Sequence, residues 1–431
     1  MDYLLFVAYL VLFAWLVTRV KFFTRSGLSQ PQLVIVFLLK VMAGIFYGWI
    51  GLYYGNLAQM TDTWSFHNTS IQEYHLLGTH PGEYFTNLFH NPYQGGFEKF
   101  FTADESYWND LKGNVFVKIL SIFNIISFGN YYVNVIFYTF LSLFGPFAIY
   151  RVMTDVFPSR KLPVLIATFL VPSFLYWTSG LHKDGLIFLG ISLIIYHLYF
   201  GWKEKKYGFK RIGGIILGLL LLLSLRNFLF VIIIPGIIAW ILSIRWPKRS
   251  FVIYSSVYLF FLVMFFTLRY VSPKFDFPQA VVNKQQEFMK LKSKSMIPIE
   301  ELQPNVLSFI KNTPQAINLS TIRPYPSDVR HILSLAAAIE IDLLLLMFVL
   351  FIFCRIKGSP PRNLVLFCVF FSFSLLLAIG FSVNNLGAIV RYRSIIIPLL
   401  IIPMAAQIDW ARLSKLLLNN IKNKNNVSNS S

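Results

Sequence analysis

Eleven apolar segments, near 3–18, 32–54, 131–150, 163–178, 185–200, 212–225, 228–244, 251–268, 333–354, 363–383 and 388–407, follow one another along this chain. A bilayer needs about 20 apolar residues per helical span, and in lipid only helices and closed barrels satisfy every backbone polar group. The pattern therefore predicts an all-α, polytopic membrane helix bundle of about eleven transmembrane helices. Composition agrees, since only 13% of the 431 residues are charged, against about 25% in a soluble domain. The first run follows Met1 and Asp2 directly, without a basic n-region or a small-residue cleavage site, so it reads as a span rather than a signal peptide. Cys354 and Cys368 lie in or beside separate apolar runs and offer neither a disulfide framework nor zinc spacing.

The formal net charge of +19 is distributed topologically. Every second connector is basic: Arg19, Lys21 and Arg25; Arg151, Arg160 and Lys161; Lys203, Lys205, Lys206, Lys210 and Arg211; Arg245, Lys248 and Arg249; Arg355, Lys357 and Arg362; then Arg412, Lys415, Lys422 and Lys424. The positive-inside rule then puts the N-terminus outside and the C-terminus in the cytoplasm. The charge is a cytoplasmic collar, and no nucleic-acid partner is expected. In 212–244, Arg226 and Asn227 form the whole outer turn if the segment is a hairpin. A single kinked helix there would invert everything downstream.

Two long segments fall outside in this arrangement, 55–113 and 269–332, and with 114–129 they are expected to form an outer-face cap (55–130 and 269–332). The stretch 114–129 reads as an amphipathic helix in the outer interface. One transmembrane domain is expected over 1–407, then a cytoplasmic, disordered tail over 408–431. P-loop, GxSxG and HExxH patterns are absent.

The stretch "SGLHKDG" (179–185) joins two apolar runs and falls on the outer face, as does Asp62 in "QMTDTWSFHN". Asp62 on its own reads as an ordinary loop acid or helix N-cap. Its neighbours sharpen it, because Trp64, Phe66 and Tyr74 supply flat faces of the kind sugar rings stack on, and His67, Glu73, His75 and His80 follow. The histidine spacing matches no zinc pattern. Lys183 and Asp184 read equally well as a helix N-terminal feature or as ligands beside His182. Arg226 is costly in hydrocarbon unless it snorkels or pairs. Arg391 and Arg393, at the outer end of the last segment, diverge by about 200° on a helix, so one is free to grip an anion while the other snorkels. Arginine suits phosphate through its planar fork. Arg323, before the ninth segment, adds a cation or a plain loop charge. One acid and several cations thus converge on the outer face, as a membrane-held, phosphate-bearing substrate would require.

An acid in the first large outer loop, an interfacial helix after it, "PSFLYWTSGLHKDGL" across a short outer turn, and "RYRSIIIPLLI" in the last helix resemble the GT-C superfamily of polytopic glycosyltransferases. The chain is also similar to exopolysaccharide membrane proteins of the EpsG type, which share the extra first helix. The likeness covers roughly 32–407 in layout. It implies sugar transfer from a polyprenyl-phosphate-linked donor to a glycan or lipid-linked acceptor at a bacterial inner membrane. It further implies Asp62 as catalytic base, and Lys183, Arg226, Arg323, Arg391 and Arg393 as donor-phosphate ligands. Trp64, His67, His182 and Asp184 would be the substrate contacts. A lateral groove between helices would admit the lipid. Asp62 is followed by Thr63 and Trp64 where many members carry a second acid, so a divalent metal stays open and the resemblance implies no certain cofactor. A repeat-unit polymerase would use the same donor, while a lipid-linked sugar flippase would want charges near the midplane and broken helices in repeated halves.

Overall fold

The computed structural model of the chain describes residues 2–53, 62–93, 100, 106–291, 293, 295–356 and 363–414, and among these no strand forms. In chain order the main helices are α1 (Asp2–Arg19), α2 (Gln30–Tyr53), α3 (Asp62–Thr79), α4 (Tyr107–Ser127), α5 (Tyr131–Val156), α6 (Lys161–Phe169), α7 (Pro172–Ser179), α8 (Asp184–Lys203) and α9 (Phe209–Leu225). They continue with α10 (Asn227–Arg245), α11 (Ser250–Thr267), α12 (Phe277–Lys290), α13 (Val306–Ile317), α14 (Ile332–Phe353), α15 (Asn363–Ser382), α16 (Leu386–Ser394) and α17 (Ile397–Gln407). Among the described residues eight helices are long and apolar enough to cross a membrane, and ten spans result when α6–α7 and α16–α17 are each taken as one bent span. The chain is a multi-pass membrane protein on this basis. The remaining expected segment is α9, whose 17 residues reach about 25 Å, short of a hydrocarbon core of about 30 Å.

The two bends were not expected. α6 and α7 meet at 49°, and α16 and α17 at 61°. Val171 is extended (φ −70°, ψ 117°) ahead of Pro172, because proline disfavours a helical residue before it. Pro398 sits in the first turn of α17, where its missing N–H costs nothing. The half-helices α7 and α16 pack on one another. Both ends of α7 are held by buried charge. Glu340 of α14 accepts from Ser173 N at 2.6 Å, and Lys40 of α2 donates to Thr178 O at 2.7 Å and Ser179 Oγ at 3.2 Å. These signs oppose the helix dipole at each end.

The chain reverses at Arg226. α8 and α9 run antiparallel, with Gly214 against His197 and Gly218 against the Gly190 carbonyl, a close approach that small residues permit. α9 therefore rises toward the end of α8 that carries Asp184. α10 descends again: Gly236 and Trp240 meet Phe367 in the first turns of α15, whose opposite end leads into α16. Residues 212–244 are a hairpin. Basic residues gather at the far end, where Arg151 lies over Phe22 and Tyr196 and Lys203 pairs with Asp155.

Both long connectors lie at the Arg226 end. Asn227 donates to Phe100 O, and Ile297 N donates to Asn384 O at 2.9 Å. α4 starts at Tyr107, earlier than 114, because Ser106 caps it by accepting from Asn109 N. Its Ile122, Ile125 and Ile126 are exposed while Phe116 and Leu120 are buried. Residues 408–414, expected in the tail, are held to the bundle: Ile408 bridges to Arg355 and Asp409 N donates to Cys354 O at 2.8 Å. The expected disorder over 415–431 lies outside the described residues, as do 55–61.

Candidate functional site

The turn between α7 and α8 is tightly enclosed. A Cβ on Gly180 would overlap the Tyr47 ring, and one on Gly185 would meet Tyr138 Oη at 2.5 Å and Thr178 O at 2.6 Å. Tyr138 also donates to His182 O. The turn thereby fixes Asp184, the fully buried first residue of α8. Arg226 Nη2 donates to its Oδ1 at 2.9 Å and Arg391 Nε to its Oδ2 at 2.9 Å, while His182 Nδ1 lies 3.1 Å from Oδ2. Arg391 reaches onward, with Nη1 3.4 Å from Asp62 Oδ2 and Nη2 against the His182 ring. Asp62, at the start of α3, is half exposed and lies 4.0 Å from His182 Nε2.

His182 is wholly buried. Burial chiefly, then the Arg391 charge, push its pKa down to about 4 against the pull of Asp184, so it is neutral at pH 7. A proton on Nδ1 lets it donate to Asp184 while Nε2 accepts from Arg391. Arg226 lies with Cζ 4.5 Å from the Tyr392 ring centroid, and its buried Nη1 has no hydrogen-bond partner among the described residues. Lys183 Nζ sits 5.0 Å over the Phe66 ring. Among the described residues, the basic side chains of Lys183, Arg226 and Arg391 face the carboxylates of Asp62 and Asp184.

Burial, then repulsion from Arg226 and Arg391, lower the Lys183 pKa from 10.5 to about 7, with Asp184 and Asp62 opposing. The unfolded chain therefore binds more protons here than the folded one between pH 7 and 10.5, so this group's contribution makes stability rise with pH across that window. Thermal melts at pH 7 and pH 10 are expected to show a gain in wild type that is smaller in Lys183→Met by this contribution. An identical pH response in the two proteins would contradict the assignment.

The structure brings Asp62, His182, Lys183, Asp184, Arg226 and Arg391 together and leaves four expected residues elsewhere. Arg393 neither grips this site nor snorkels. It is 2% exposed and donates to the carbonyls of Arg323 and Ser320, because two positions along α16 point it to the opposite side. Arg323 pairs with Asp328 at 3.2 Å. Trp64 already stacks on Tyr131, centroids 4.0 Å apart at 18°, and its indole donates to Gly48 O at 2.9 Å. His67 is buried beside Tyr131 and Asn134, and burial lowers its pKa to about 4. Among the described residues no group of three His, Cys, Asp or Glu could hold a metal ion.

Lys40 and Glu340, which anchor α7, escaped the sequence reading. The signal was present, since Lys40 is a lone charge inside an apolar run, Glu340 shares its run only with Asp342, and intramembrane charges mark function by default. A groove of about 900 Å³ lies away from the cluster. It runs between α6, α14 and α17, lined by Leu162, Ile166, Leu343, Met347 and Ile401, with Glu340 at its wall. α7, about 12 Å long, separates it from the His182 turn.

Fold and site together define a multi-pass membrane protein with a buried cluster of basic side chains and carboxylates at one end of its bundle. No protein-family model, curated protein or solved structure matches the chain.

Proposed function

We propose that this protein is a membrane glycosyltransferase of the GT-C kind, moving a sugar from a polyprenyl-phosphate-linked donor to a glycan or lipid-linked acceptor. The cluster end faces outward from a bacterial inner membrane, the N-terminus lies outside and the C-terminus in the cytoplasm, with α9 as an eleventh span and the two long connectors as an outer cap. Asp62 takes the proton of the acceptor hydroxyl as its oxygen attacks the anomeric carbon. The bond from that carbon to the phosphate oxygen breaks with inversion. The electron pair leaves on the phosphate, where Arg226, Arg391 and Lys183 stabilise the developing charge. The lipid lies along the groove beside α7. One observation carries this reading: a half-exposed carboxylate 3.4 Å from Arg391 Nη1 at the edge of a buried cluster that also holds Arg226 and Lys183.

A repeat-unit polymerase would use the same site with a growing chain as acceptor. A flippase for the lipid-linked sugar is favoured by a separate observation, the two broken spans, one of them held by Lys40 of α2 and Glu340 of α14, both buried. Reconstitution in vesicles with a polyprenyl-phosphate-linked sugar and an acceptor separates these. The proposal expects a glycoside of inverted configuration. Donor crossing the bilayer without any glycoside would reject it for the flippase.

The orientation is tested by labelling intact cells. Native Cys354 and Cys368 are buried, so a cysteine placed at exposed His80 is expected to react from outside, and one at Lys206 only after permeabilisation. The reverse pattern would put Asp62 in the cytoplasm and end the mechanism.

A further inference from the structure

The lipid-facing side of α14 carries an acid that nothing among the described residues answers. Glu340 and Asp342 stand two residues apart on this helix, about 200° around its axis, so they take opposite sides. Glu340 is buried with Ala338 and Ile341 against the bundle, whereas Asp342 is exposed. Asp342 is the eleventh of the 22 residues of α14, with about 15 Å of helix on either side of it. That is about half the thickness of a hydrocarbon core, and an aspartate lacks the long stem on which a lysine or arginine reaches the interface. Its carboxyl has no hydrogen bond or ion pair among the described residues, and it does not line the groove that Glu340 borders.

The residues above and below it form a seam. Leu335, Ile339, Asp342, Leu346, Val349 and Phe353 follow one another at spacings of four and three, and all six are exposed. Such a stripe is how one helix packs along another in a left-handed pair, and a single polar residue within it fixes the register. An ionisable group at mid-bilayer turns to a bundle interior or pairs with an opposite charge. A second copy of this chain does not bring that charge. Among the described residues, Lys40 is the one cation near the middle of an unbroken span, and it is buried and bonded to α7. Two α14 seams face to face would set Asp342 against Asp342. We propose that this seam is the docking surface for a single transmembrane helix of another protein, apolar along one face and carrying a lysine or arginine at mid-span that pairs with Asp342. α14 then has the partner on one side and α7, held through Glu340, on the other.

The test uses synthetic transmembrane peptides of about 20 leucines and alanines, with either lysine or leucine at the centre, titrated into phosphatidylcholine vesicles that hold the full chain. Binding is read by energy transfer from a dye on the peptide to one on the chain. Wild type is expected to bind the lysine peptide about tenfold more tightly than the leucine peptide, and Asp342→Leu to bind the two alike. That variant removes a lipid-facing acid, so it is expected to insert and accumulate at least as well as wild type. Crosslinking locates the contact: Ile339→Cys and Val349→Cys are expected to couple to a cysteine in the lysine peptide, and Leu262→Cys, exposed on α11, is not. Equal affinities in wild type, a lysine preference that survives Asp342→Leu, or coupling at position 262 as strong as at 349 would overturn the proposal. Energy transfer between two labelled wild-type copies that Asp342→Leu abolishes would give the seam to a second copy of the chain and overturn it as well.

Discussion

Arg391→Ala is expected to lower the stability of the folded chain by about 3–5 kcal/mol and to abolish product formation. Arg391 bonds Asp184, Asp62 and the His182 ring at once. Removing it takes one of two guanidinium partners from a fully buried carboxylate, and deleting one partner of a buried pair carries a cost of this size. Arg391→Lys separates fold from function. A flexible ammonium restores the charge next to Asp184 but cannot present the fork that reaches all three partners. The lysine variant is therefore expected to recover part of the stability, read from thermal melts, and almost none of the product. Full activity in Arg391→Lys would mean that the fork is not used for phosphate, and Arg226 would become the leading ligand.

Asp62→Asn is expected to slow transfer by about 10²–10⁴-fold, the usual worth of a positioned base. The same change leaves stability within about 0.5 kcal/mol, because the side chain is half exposed and surface changes of this kind cost little. Activity near wild type would reduce Asp62 to an ordinary first-turn acid of α3. A large loss of stability would show instead that the carboxylate braces Arg391, and that its effect on transfer is indirect.

Hydrophobic periodicity found nearly every helix of the bundle, because lipid demands long apolar segments and the sequence must display them. The bends within 163–178 and 388–407 escaped it, since an apolar run looks the same whether its helix is continuous or broken. Pro172 and Pro398 were the available signs. The site was legible in kind but not in membership. Charges between apolar runs singled out Asp62, His182, Lys183, Asp184, Arg226 and Arg391, while the direction each side chain takes depends on helix rotation. The RYR motif illustrates this, for Arg391 and Arg393 are alike in sequence and end on opposite sides of α16. Trp64 and His67 were chosen for chemistry that packing against Tyr131 consumes.

An isolated helix of eight residues does not persist on its own, so α7 depends on its packing in the bundle and on Glu340 and Lys40, which hold it at opposite poles. Its orientation is set like that of a compass needle between two fixed magnets, and the "SGLHKDG" turn inherits that orientation. Reversing or silencing either pole would swing the needle and carry His182 and Asp184 away from Arg391. On the proposed reading, function is vulnerable at two positions outside the cluster, and inactivating substitutions are expected deep in the lipid-spanning body as well as at its mouth.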